Sequence, residues 1–174
     1  MDSIYFPVTM SAFASQAHFN SILGNEAFNI ADVKVKTIPL NHPGCCLGYR
    51  LEYKQKSFCY ITDNELHLEN SPKYNRSKVN HLIDFIRGTN VLVIDTTYLD
   101  QEYSKKAGWG HSCVSQVVDI ADKANVKLLC LYHHDPDQTD DDIDLKLNQA
   151  ISNLNSRNSK VKCIAPREGE RIII

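Results

Sequence analysis

The stretch "SKVNHLIDFIRGTNVLVID" (77–95) decides the fold class. Val79, Leu82, Ile83 and Ile86 recur at the spacing of one helix face. A few residues on, "NVLVI" (90–94) is continuously apolar, as a strand covered on both faces is. The same helix-and-strand rhythm repeats downstream. "SCVSQVVDIADKA" (112–124) opens with Ser112 as an expected N-cap and places Val114, Val117, Val118 and Ala121 in one stripe. "VKLLCLY" (126–132) is a second buried-type strand. "TDDDIDLKLNQAISNL" (139–154) begins with a capping threonine and acidic first-turn residues, then runs amphipathic through Ile143, Leu147, Ile151 and Leu154. "KVKCIA" (160–165) and "RIII" (171–174) read as closing strands. Alternation of this kind predicts an α/β layered sheet with parallel strands.

Upstream of residue 77 the pattern changes. "VKVKTIPL" (33–40) reads as a strand, and "CLGYRLEY" (46–53) and "SFCYIT" (57–62) flank "KQK", a connection of hairpin length. Residues 1–32 read as an irregular lead-in with a short helix near 14–23. The 174 residues together suit one domain with one core.

Composition narrows the function classes. Apolar residues make up 43% and charged residues 23%, ordinary for a globular domain, and the net charge of −2 gives no general nucleic-acid surface. No apolar run approaches the roughly 20 residues of a membrane helix. The start, "MDSIYFPVTMSAF", lacks the basic and apolar regions of a signal peptide. Six cysteines form no C-x-x-C pair, and Cys59 and Cys130 fall inside apolar strands. The expectation is a cytoplasmic protein with reduced thiols. The vicinal pair Cys45-Cys46 could bind soft metals, but the other donors are of a harder kind.

Those donors cluster at strand ends. The strand at 33–40 runs into Asn41-His42, that at 57–62 into Asp63, that at 90–94 into Asp95, and that at 126–132 into His133-His134. Sites in α/β sheets gather outside the carboxyl ends of strands. Imidazole and carboxylate together suit zinc, manganese or iron, and a carboxylate between two metals can bridge them. Each residue alone also has a bland reading. A histidine at a strand end is commonly a structural hydrogen-bonding group. Asp63 and Asp95 could be turn residues, and the aspartates of 135–144 loop and helix-start residues.

"PLNHPGCCLGYRLEY", "YITD", "LVIDTTY", "GWGHS" and "LYHHDP" follow one another in an order that resembles the metallo-β-lactamase-fold hydrolases. The resemblance is to the branch that includes ribonuclease Z and phosphodiesterase-like hydrolases. It covers nearly the whole chain, and the ending "APREGERIII" is similar to the end of that branch. It implies the second half of an αββα sandwich, a mixed sheet with helices on one face. It implies that His42, Asp63 and His133 are metal ligands, with Asp63 bridging. His111 would contact the scissile phosphate or help the leaving group, with Ser112 capping a helix whose amides favour an anion. Asp95 would orient a catalytic histidine, and His134 would be no ligand. Where the endonuclease has a histidine before that acid, this chain has Ile94.

The family's His-x-His-x-Asp-His string, which supplies most of the ligands, is absent from these 174 residues. In the family it lies upstream of a region resembling "YFPVTM" (5–10). The resemblance therefore implies a truncated or degenerate chain holding part of a site for zinc, with manganese or iron as alternatives. Such a chain would be weak or inactive on the phosphodiester or small ester substrates of its intact relatives. It would pair with a second copy or with a missing N-terminal half, and not with a membrane. The competing expectation is a non-catalytic interaction or dimerisation module.

Overall fold

Among the described residues, seven strands form one mixed sheet in chain order, so every neighbour in space is a neighbour in sequence. The structure is a computed structural model, and it describes residues 12, 14–44 and 46–174. Strands β1 (Ala27–Ile30), β2 (Val33–Pro39), β3 (Leu47–Tyr53) and β4 (Lys56–Ile61) make an antiparallel meander. Strands β5 (Val91–Asp95), β6 (Leu128–Tyr132) and β7 (Lys162–Ile164) then add in parallel. Helix α1 (Arg76–Ile86) connects β4 to β5, α2 (Asp100–Lys106) and α3 (Val114–Lys123) connect β5 to β6, and α4 (Asp140–Ser156) connects β6 to β7.

The parallel strands advance in one direction across the sheet. Parallel crossovers are right-handed, so successive crossover helices in such an order fall on the same face. Cys59, Ile61, Leu92, Ile94, Leu129 and Leu131 point to that face. They form one buried cluster with Ile83 and Ile86 of α1, Val117 and Val118 of α3, and Ala150 and Leu154 of α4. The alternate positions, Phe58, Tyr60, Val93, Leu128 and Tyr132, point the other way. No helix of the described residues covers that second face. Tyr60 and Tyr132 remain 37% and 42% exposed there, with their rings 6.1 Å apart.

Helix ends follow local chemistry. Asn75 caps α1 by accepting from Lys78 N, and Thr139 caps α4 while Asp142 accepts from Thr139 N at 2.9 Å. Burial raises the thiol of Cys130 to about 11, as befits a small core hydrophobe. Among the described residues, no helix is long and apolar enough to cross a membrane.

Several expectations are corrected. Residues 14–23 form no helix, and β1 occupies part of the stretch read as irregular. Residues 171–174 form no strand, because the sheet ends at β7 and Ile173 stands 96% exposed. Cys113, not Ser112, is the N-cap of α3. The Ser112 hydroxyl is instead spent on the 64–66 segment, donating to Asn64 O at 2.6 Å and accepting from Leu66 N at 3.0 Å. The region resembling "YFPVTM" (5–10) and Cys45 of the vicinal pair lie outside the described residues.

Candidate metal centre

Because β3 is antiparallel to both its neighbours, β2 runs in the same direction as β4, β5 and β6. Their carboxyl ends therefore share one edge of the sheet. His42 follows β2, Asp63 follows β4, Asp95 ends β5 and His133 follows β6. His111 arrives at the same edge from the turn before α3. Ring centroids lie 5.5 Å apart for His42 and His111 and 5.0 Å apart for His111 and His133. The five side chains, up to 91 positions apart in sequence (133 − 42), thus form one cluster.

Two groups in it have donors close enough to share an ion. One is His42, Asp63 and His111, and the other is Asp95, His111 and His133, with all donor atoms of each group within 4.8 Å of one another. Asp63 Oδ1 lies 3.9 Å from His42 Nε2 and 3.5 Å from His133 Nε2. Asp63 and His133 both hold left-handed backbone, with φ of 56° and 59°. That conformation costs a residue with a side chain about 1 kcal/mol or more, and such strain concentrates at functional sites.

Asp95 is fully buried and saturated with donors. Its Oδ2 accepts from Asn64 N at 3.1 Å and from His111 Nδ1 at 2.7 Å, and its Oδ1 accepts from Thr97 N at 3.2 Å. This hydrogen bond fixes the His111 tautomer, with Nδ1–H toward Asp95 and Nε2 left for the cluster. The same bond is the first cause that raises the His111 pKa above its ordinary value, against the opposing effect of burial. Thr97 Oγ1 lies 2.7 Å from both Asp95 Oδ1 and the His133 carbonyl, and ties the ends of β5 and β6 together.

His134 belongs to neither donor group. Burial lowers its pKa to about 4, so its ring is neutral above that pH. Asp135 also belongs to neither, and lies 3.7 Å from Lys106. The sequence reading missed Glu65, a buried carboxylate beneath the "GWG" turn, and Lys146, which is wholly buried and donates to Thr96 O and Thr97 O at 2.8 and 3.0 Å. Glycines on both sides of Trp109 were the available signal for the first. Nothing in an amphipathic helix pattern marks one lysine as buried.

The donors are imidazole nitrogens and carboxylate oxygens, which fit a borderline divalent ion. The surroundings of Asp95 and His111 supply the outer hydrogen bonds that orient such donors.

A model of the beta-lactamase superfamily domain matches residues 7–134. Ribonuclease Z of Saccharolobus solfataricus is 36% identical over 70 residues, which are 40% of this chain and 23% of that protein. Ribonuclease Z of Brevibacillus brevis is 30% identical over 71 residues, 41% of this chain and 22% of that protein. The metallo-β-lactamase fold protein YhfI from Bacillus subtilis superposes with a TM-score of 0.61 at 14% identity, covering 83% of this chain and 50% of that one. A diphosphatase from the PhnP family superposes with a TM-score of 0.51 at 19% identity, covering 82% and 45%. The chain spans a quarter or less of the curated relatives it matches and about half of these two structures.

Proposed function

This chain belongs to the beta-lactamase superfamily, and we propose that it carries part of the active centre of a metal-dependent phosphodiester hydrolase. His42, Asp63 and His133 would hold divalent metal, zinc in the first instance, with Asp63 Oδ1 3.9 Å from His42 Nε2 and 3.5 Å from His133 Nε2. The metal, when bound, supplies Lewis-acid activation of water and of the phosphoryl group. His111 binds a phosphoryl oxygen or protonates the leaving oxygen through Nε2. Asp95 holds that ring by Nδ1 and favours its protonated form, the state a general acid needs. The observation that carries this reading is the 2.7 Å bond from His111 to a fully buried Asp95 at the edge where His42, Asp63 and His133 converge.

The curated relatives with sequence similarity are ribonucleases Z, so an RNA phosphodiester is the leading substrate class. The described residues act as one unit of the fold, and its apolar second sheet face takes a partner sheet, from a second copy or from a separate N-terminal half. With three protein ligands spread over two metal positions, the chain by itself is a weak hydrolase. The test is cleavage of bis(p-nitrophenyl) phosphate with added zinc, comparing the chain with His111→Gln and His133→Ala variants. Residual activity unchanged by both substitutions would overturn the assignment.

A second reading has its own observation. The half-exposed tyrosines of the open sheet face suit a non-catalytic pairing module. A chain that forms a stable complex but gains no zinc-dependent activity in it would favour that reading.

A further inference from the structure

Glu65 is only 4% exposed, and both its oxygens are engaged. Oε1 accepts from Gly108 N at 2.7 Å and from Tyr103 OH at 2.9 Å, and lies 3.1 Å from His67 Nδ1. Oε2 accepts from Gly110 N at 2.9 Å. The carboxylate thus grips the turn at both amides that flank Trp109. Trp109 itself buries little, being 60% exposed with Lys106 Nζ 4.6 Å from its ring centre. Hydrophobic burial therefore does not hold this turn; the carboxylate does.

The turn has little freedom to be held another way. Gly108 and Gly110 have φ of 95° and 98°, a conformation that residues with side chains rarely adopt. A Cβ on Gly110 would lie 2.4 Å from His42 Cδ2, so the turn backbone lies directly against the His42 ring. The next residue is His111. One short stretch of backbone therefore limits His42 on one side and launches His111 on the other. His111 is anchored downstream by Asp95 at 2.7 Å. Upstream, Glu65 is the matching anchor.

We propose that Glu65 is a positioning residue which, by holding Gly108 and Gly110, fixes the mutual placement of His111 and His42. The functional meaning of that placement rests on the hydrolase reading above, but the placement is measurable without metal or substrate.

The experiment is NMR of the metal-free chain. In the wild type, the Gly108 and Gly110 amides are expected to resonate downfield, as donors to a carboxylate do, and to be protected from hydrogen exchange. The His111 Nδ1 proton is expected to be visible. Glu65→Gln keeps the size but offers only one good acceptor. At least one glycine amide should lose its downfield shift and protection, and the His111 Nδ1 signal should broaden or vanish. Leu82→Ala is the control, since it opens the α1 core far from the turn in sequence. It should lower the melting temperature while leaving the three signals in place. Unchanged signals in Glu65→Gln, or equal changes in Leu82→Ala, overturn the proposal. Should Glu65→Gln not fold, the wild type still decides, because unprotected glycine amides are incompatible with the clamp. Absence of hydrolytic activity would count against the functional reading alone.

Discussion

His133 Nε2 meets Asp63 Oδ1 at 3.5 Å, and the two residues reach this contact from strand ends that both turn left-handed. Neither is a glycine, so the backbone strain is borne by two of the proposed metal ligands. Replacing Asp63 with alanine keeps the strain and removes the carboxylate, whereas glycine removes both. Asp63→Gly is expected to be more stable than Asp63→Ala by about 1 kcal/mol, although glycine is ordinarily the more costly residue. Urea unfolding of the two variants measures the difference, and the reverse order would show that the turn is unstrained.

Metal affinity should be poor in the isolated chain. His42, Asp63 and His133 spread over two metal positions leave each short of the three or four protein ligands such sites use. Calorimetric titration with zinc at neutral pH is expected to show weak binding. Tight binding lost in His42→Ala would mean that further ligands exist, with His111 and Asp95, which complete the two donor groups, the first to examine.

Two histidines should make opposite contributions to stability as pH changes. The folded pKa of His111 is raised, chiefly by its bond to Asp95. Its contribution is full below the unfolded value of about 6.5 and is lost as pH rises through the raised folded value. His134 is depressed to about 4 by burial. The fold excludes its proton between about 4 and 6.5, so stability is lost as pH falls through that window. The stability gap between wild type and His111→Gln should therefore narrow with rising pH. His134→Phe should blunt the loss on the acid side. Flat differences in both comparisons would refute the assignment.

Asp95→Asn should cost about 1–3 kcal/mol, since Asp95 is fully buried and an amide cannot accept from every donor that converges on it. The His111 pKa should fall at the same time, which ring-proton NMR can follow. A destabilised variant with an unmoved His111 titration would remove Asp95 from the role of orienting that ring.

The second sheet face is only partly covered, with Val91 and Cys130 buried but Tyr60 and Tyr132 37% and 42% exposed, and it should make the lone chain self-associate or bind hydrophobic dye. Light scattering and thermal melting of the purified chain test this. A monomer that melts sharply and leaves the dye dark would show that the face is adequately covered.

Much of the architecture was legible because burial and periodicity coincide in it. Strands β5 and β6 are apolar at consecutive positions, and α1, α3 and α4 carry one stripe each. Their boundaries fall within two residues of the reading. The edge strand β1 and the short α2 were not legible, since "AFNI" and "DQEYSKK" have too few apolar residues to set a period. Strand ends pointed to His42, Asp63, Asp95 and His133, whose convergence follows from shared strand direction. Glu65 and Thr97 were invisible for a different reason. Beyond their near contacts to His67 and Asp95, their partners lie 36 to 45 positions away and depend on how loops close over the sheet edge.

The site sits where the antiparallel meander gives way to parallel strands. His42 and Asp63 come from hairpin-connected chain that closes over short loops, which is fast. Asp95, His111 and His133 come from crossover segments that must first wind helices and return, which is slow. The cluster is therefore expected to assemble in the last stage of folding, after most of the secondary structure is in place. Trp109, the only tryptophan in the sequence, lies on the turn between the two contributions. In refolding, its fluorescence should settle more slowly than the far-ultraviolet circular dichroism, and coincident time courses would mean that the two parts of the sheet form as one.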